Sequence, residues 1–97
     1  MKTTVKNLLS KNGNKVPNQY EIIQQKKDYC KHIFQSYITT IAEIEYTNKG
    51  KQIVFDTNAL HYSRTTNRYL YKFMLMNRKE IDKLIKLNKI KFKNLND

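Results

Sequence analysis

The chain has no tryptophan, one cysteine, one proline, two glycines and eight acidic residues among its 97. Each scarcity excludes something. A lone cysteine, Cys30, rules out an internal disulfide framework and fits a reducing cytosol. Two isolated glycines, Gly13 and Gly50, leave no Gly-rich loop to cradle a phosphate. No apolar run approaches the ~20 residues that span a bilayer, and residues 1–12 lack the continuous apolar stretch of a secretory leader. The short length predicts one domain with one modest core. With no tryptophan, seven tyrosines and four phenylalanines must supply the large apolar bodies of that core.

What the chain does hold is basic charge, sorted along its length. Residues 1–15 carry four lysines and no acid, residues 16–63 hold five of each sign, and residues 64–93 carry ten Lys/Arg against Glu80 and Asp82. The whole has a formal charge of +11. A fold gains nothing from such self-repulsion, so an anionic partner is the expected beneficiary. Coding bias is the plain alternative, because Lys, Asn and Ile are all abundant, as A+T-rich codons produce. Two facts limit it: there are only four glutamates, and bias of this kind does not leave a neutral middle between basic flanks.

Residues 1–15 read as a flexible basic arm, with a short helix over Val5, Leu8 and Leu9 as one option, and residues 16–97 as a single α+β domain. Strands are expected over Tyr20–Gln25, Tyr29–Gln35, residues 38–46 and Lys51–Phe55. In the third of these, Ile38, Thr40, Ala42, Ile44 and Tyr46 share one face, and only Ile41 breaks the alternation. Asn48-Lys49-Gly50 reads as a hairpin turn. From Ser63 the period becomes helical. Ser63 or Thr65 caps a helix whose inner stripe is Thr66, Tyr69, Leu70, Phe73, Met74 and Met76. Asn77 and Glu80 read as a capping box opening a second helix with Ile81, Leu84 and Ile85 inward. Ile90–Lys93 is a candidate edge strand. The expected fold is a small antiparallel sheet of three to five strands with two C-terminal helices packed on one face.

Arg64, Arg68 and Lys72 stand at i, i+4 and i+8, one stripe on the first helix with Tyr71 beside it. Arginine forks suit phosphates or a guanine edge, Ser63, Thr65 and Asn67 add neutral donors, and helix N-terminal amides add partial positive charge. Arg78, Lys79, Lys83 and Lys86 extend the basic surface onto the second helix, where lysine reads phosphate but not sequence. These eleven side chains are the candidate nucleic-acid contacts; the plain alternative is a solvated helix face. Tyr71 is the candidate stacking platform, the other tyrosines being read as core. Cys30, His32, Glu45, Asp56 and His61 match no metal spacing, and Asp56, His61, Tyr62 and Ser63 are near in sequence without forming a triad. No metal, no cofactor and no catalysis are expected, and no membrane partner.

Three strings carry a resemblance: Asn14-Lys15-Val16-Pro17-Asn18-Gln19-Tyr20-Glu21-Ile22, Phe34-Gln35-Ser36-Tyr37-Ile38-Thr39-Thr40-Ile41-Ala42 and Tyr62-Ser63-Arg64-Thr65-Thr66-Asn67-Arg68-Tyr69. Over about residues 14–76, with the ending Lys93-Asn94-Leu95-Asn96 as a further stretch, the chain resembles a small domain-of-unknown-function family encoded by phages and mobile elements of low-G+C Gram-positive bacteria. The resemblance implies origin and a bacterial host cytoplasm, not an activity. Two functions are then expected in order. The first is a noncatalytic phage accessory protein binding DNA or RNA backbone. The second is a host-takeover or counter-defence factor, for example an anti-CRISPR-type inhibitor, that binds a host protein or ribonucleoprotein. A small scaffold or oligomer subunit is the third.

Overall fold

The computed structural model describes residues 1–96. Five strands run as an antiparallel meander: β1 (Lys2–Leu9), β2 (Lys15–Lys26), β3 (Tyr29–Ser36), β4 (Thr39–Thr47) and β5 (Gly50–Asp56). Two helices follow, α1 (Arg64–Met74) and α2 (Arg78–Lys86), and then β6 (Ile90–Lys93), which lies parallel to β5. The result is one mixed six-stranded sheet in the order β1-β2-β3-β4-β5-β6.

This corrects the expected three to five antiparallel strands in number and direction. The extra strand is β1, inside the segment read as a basic arm. Its residues show no apolar alternation, and it joins the sheet through its ladder with β2, from Lys2 opposite Gln25 to Leu9 opposite Lys15. The parallel strand has a topological cause: both helices fill the β5–β6 connection, so the chain returns to the end from which β5 started.

Turn chemistry sets the registers. Lys26 opposite Tyr29 and Ser36 opposite Thr39 leave two-residue turns, in which Asp28 (φ 59°) and Tyr37 (φ 56°) take the left-handed conformation such turns need. Thr47 opposite Gly50 closes the fourth hairpin, with Gly50 at φ 121°, a backbone state costly for any residue with a Cβ.

Directly paired residues share a sheet face. By that rule Phe34, Ala42, Ile44, Ile53, Phe55 and Ile90 face one way, and all are buried. A register shift between Phe34 and Gln35 leaves Ile41 as the extra residue of a β-bulge in β4. The bulge explains the broken alternation: Ile41 and Ala42 are both buried, and the phase beyond it reverses. Ile38, read as core-facing, therefore stands at a hairpin tip with 93% of its surface exposed.

Both helices cover that single apolar face. Phe73 of α1 stacks on Phe34 with ring centroids 5.7 Å apart, and Ile81 of α2 is fully buried in the same cluster as Ile90. The caps are as the sequence implies. Ser63 Oγ accepts from the Thr66 amide, and Asn77 and Glu80 form a reciprocal capping box. No helix among the described residues is long and apolar enough to cross a membrane.

The bulge reading has a direct check. Ile41→Ala should cost about 2–5 kcal/mol, the usual range for emptying a core site, whereas Ile38→Ala should stay within about 0.5 kcal/mol. Urea unfolding midpoints of the two variants measure the difference.

Candidate nucleic-acid interface

Because the apolar stripes of both helices point into the sheet, their polar faces must point out. Arg64, Thr65, Arg68, Arg78, Lys79, Lys83 and Lys86 are all exposed. Acids near them are already engaged. Glu80 accepts from the Asn77 amide at 3.0 Å, and Asp82 pairs with Arg78 Nε at 2.9 Å.

Three carboxylates of the sheet, Glu21, Glu43 and Glu45, are engaged elsewhere. Glu21 takes His32 Nδ1 at 2.6 Å and lies 3.6 Å from Lys6. Glu43 pairs with Lys31 at 3.3 Å, and Glu45 accepts from the Tyr29 hydroxyl. Burial pushes Lys31 down, but Glu43 outweighs it and holds the ammonium pKa above its usual value. Among the described residues, Arg64, Arg68, Lys79, Lys83, Lys86, Lys89 and Lys91 take part in no ion pair. Arg64, Arg68, Lys79, Lys83 and Lys86 thus leave positive charge uncompensated on the helices, while Lys2, Lys15, Lys26, Lys49 and Lys51 of the sheet and its turns are without an ion pair as well among the described residues.

The eleven candidate side chains do not behave alike. Arg64 and Arg68 are free in the sense just given. Lys72, the third member of the stripe, is tethered: its ammonium donates to the Leu9 carbonyl at 3.2 Å and lies 5.9 Å from the centroid of the Tyr69 ring. That tether sets the stripe beside the β1–β2 hairpin, where Leu9 pairs with Lys15, so basic residues distant in sequence meet there. Ser63 is committed to capping, accepting from the Thr66 amide at 3.0 Å and donating to Thr66 Oγ1 at 3.1 Å. Asn67 donates to the Leu60 carbonyl and keeps its Oδ1 buried without a partner, so it anchors the loop before α1. Tyr71 is half-buried against the core, and Asp82 first, then Tyr71, raise the Arg78 guanidinium pKa. Three cations absent from the sequence-based set, Lys51, Lys89 and Lys91, come together between the start of β5 and the α2–β6 turn. Only the parallel β5–β6 pairing brings them near one another, and no local spacing signals that.

The loop feeding α1 is locked by one carboxylate. Asp56, 2% exposed at the end of β5, accepts from Tyr62 Oη at 2.6 Å, the Asn58 and Leu95 amides, and Asn96 Nδ2. Burial pushes its pKa up, but these four donors prevail and hold it below the usual value. Burial, then the Asp56 bond, pushes Tyr62 up to about 12. Asp56 holds Tyr62, His61 is exposed, and Ser63 is bonded to Thr66, so these residues do not form a nucleophile–base pair. No group of three or more metal-ligating side chains is gathered among the described residues.

The three strings that carry the family resemblance meet in space at the start of α1. Gln19 pairs with Ser36, the Tyr37 amide donates to the Asn18 carbonyl, and Ser36 Oγ lies 3.4 Å from Thr66 Oγ1.

The Asp56–Tyr62 bond predicts alkaline sensitivity. A tyrosine whose folded pKa exceeds its unfolded value contributes stability below pH 10, and that contribution is lost as pH climbs from 10 to about 12. Tyr62→Phe should flatten this part of the thermal-midpoint profile. At the acid end the sign reverses: stability should fall as pH drops below the ordinary aspartate value of 3.8, and Asp56→Asn should remove that slope.

Compared with known proteins, the chain matches a family of unknown function (DUF8033) over residues 2–91. The match takes in β1 and all of α2, a longer span than the three strings cover. No curated protein matches, and no solved structure matches.

Proposed function

The chain belongs to that family of unknown function, and from this premise we propose that it is a noncatalytic accessory protein that binds nucleic-acid backbone through the outer surface of α1, α2 and the adjoining β6. The observation that carries this reading is the separation of charge. Glu21, Glu43 and Glu45 are engaged within the sheet, and seven arginines and lysines of residues 64–91 face solvent without an acidic partner among the described residues. An unneutralised helix start adds to it, since the first turn of α1 holds no acid. Arg64 and Arg68 are the leading phosphate contacts, with Lys79, Lys83 and Lys86 widening the field. Ser63, Asn67 and Lys72 serve this surface by holding α1 in place. The resemblance to proteins of phages and mobile elements supports action in a bacterial cytoplasm.

A second reading, a counter-defence factor that binds a host protein, has its own observation. The sheet face away from the helices is uncovered, and at its β1–β3 side Val5, Asn18, Tyr20, Ile22, Gln35, Tyr37 and Ile38 line an uncharged groove. Tyr37 is 62% exposed despite its left-handed backbone, a conformation that costs about 1–3 kcal/mol. A host partner retained after nuclease treatment, and released by Ile38→Asp, would favour this reading over the first.

The primary reading makes a quantitative prediction. Binding to generic single- or double-stranded oligonucleotides should weaken linearly in log K against log salt. Each phosphate contact contributes about 0.9 to the slope on duplex DNA and about 0.7 on a single strand. The Arg64→Ala/Arg68→Ala double variant should lower that slope by nearly two contacts' worth. Unchanged affinity and slope, measured by fluorescence anisotropy, would place the contacts elsewhere.

A further inference from the structure

Between the start of β5, the end of α1 and the α2–β6 turn lies an open groove of about 650 Å³. Its floor is apolar: Ile53 is 5% exposed, and Met76 and Leu84 are half-buried. Its remaining lining is Lys51, Lys89 and Lys91 together with the two amides of Gln52 and Asn88. No carboxylate lines it. The turn that forms one wall is well fixed. Asn88 sits at φ 56°, a left-handed conformation asparagine tolerates, and the Lys89 amide donates back to the Leu84 carbonyl at 2.9 Å.

From this combination we propose that the groove is a subsite for one nucleotide of a single strand, its base lying against Met76 and Leu84 and its phosphates against Lys51, Lys89 and Lys91. The charge complementarity is one-sided, since every ionic group present is a cation. Lysine ammoniums serve phosphates without demanding a sequence. A base covering the aliphatic floor removes apolar area from water, and a primary amide can both donate to and accept from a base edge. An acidic peptide is the competing occupant, and strand addition would be its usual way to bind. The adjacent edge strand β6 has only four residues, which leaves little backbone for such a ladder. The subsite rests on the nucleic-acid reading above and sharpens it: a base inside a duplex is stacked and unable to enter, so the protein should prefer single strands.

The test compares a short oligothymidylate with a strand of equal length whose central positions are abasic, which keeps the phosphates and removes the bases. Methyl NMR follows Ile53, Met76 and Leu84 during each titration. The intact strand should bind about tenfold more tightly, the order expected when a base covers roughly 50 Å² of apolar floor. It should shift these methyls, and the abasic strand should not. Lys51→Gln/Lys89→Gln should weaken both strands, since both keep the phosphates, whereas Leu84→Ala should lower the preference for the intact strand. Equal affinity for both strands with silent groove methyls would overturn the subsite and leave salt-sensitive backbone binding standing. Failure of every strand to bind at low salt would overturn both. Displacement of the intact strand by an alternating Glu/Val peptide, with groove methyls that respond to the peptide and not to the strand, would assign the groove to a protein partner instead.

Discussion

Everything in this molecule follows from having its buried apolar side chains on one side of its sheet. Phe34, Ile41, Ala42, Ile44, Ile53, Phe55 and Ile90 form a continuous surface that water penalises. The chain has two elements with which to cover it, α1 and α2, and both must turn their apolar stripes inward. Their remaining faces are then exposed by necessity, and those faces hold the arginines and lysines. The core therefore orients the charge: packing decides which way the cations look, and no long-range electrostatic attraction is needed to gather them.

The bulge at Ile41 is the hinge of this arrangement. Without it, the alternation over residues 38–46 would send Ile38 toward the helices and Ile41 toward the open side. With it, β4 presents Ile41 and Ala42 together to the core and releases Ile38 at the tip of the β3–β4 hairpin. One extra residue thereby completes the core beneath α1 and leaves an apolar tip on the opposite side. The two functional readings use these two products of the same irregularity, one the helical surface and the other the open face.

Much of the architecture is legible in the residues themselves because it is local. Period two marks β3 to β5, Ser63 marks the start of α1, and Asn77 with Glu80 marks α2 through side-chain bonds only a few positions apart. What is not legible depends on partners far along the chain. β1 carries no alternation of its own and is held by the backbone of β2. The parallel direction of β6 comes from where two helices return the chain. Lys72 looks like the third free cation of a stripe, yet its ammonium is spent on the Leu9 carbonyl, 63 positions away. Asn67 looks like a donor for a ligand and is absorbed by Leu60, and Tyr71, read as a stacking platform, is half-buried against the core. The lysine-lined groove joins residues 51, 89 and 91, a neighbourhood that exists only after strands β5 and β6 pair.

The central claim is that the helical side, and not the open sheet face, is the surface that meets a polyanion. A backbone amide shift map of the whole chain, recorded while a single-stranded oligonucleotide is added at low salt, addresses it most directly. The account predicts perturbations clustered on α1, α2 and the start of β6, fading as salt is raised. Perturbations confined to Val5, Ile22, Ile33 and Val54 on the uncovered face, or a spectrum that does not change at all, would contradict it.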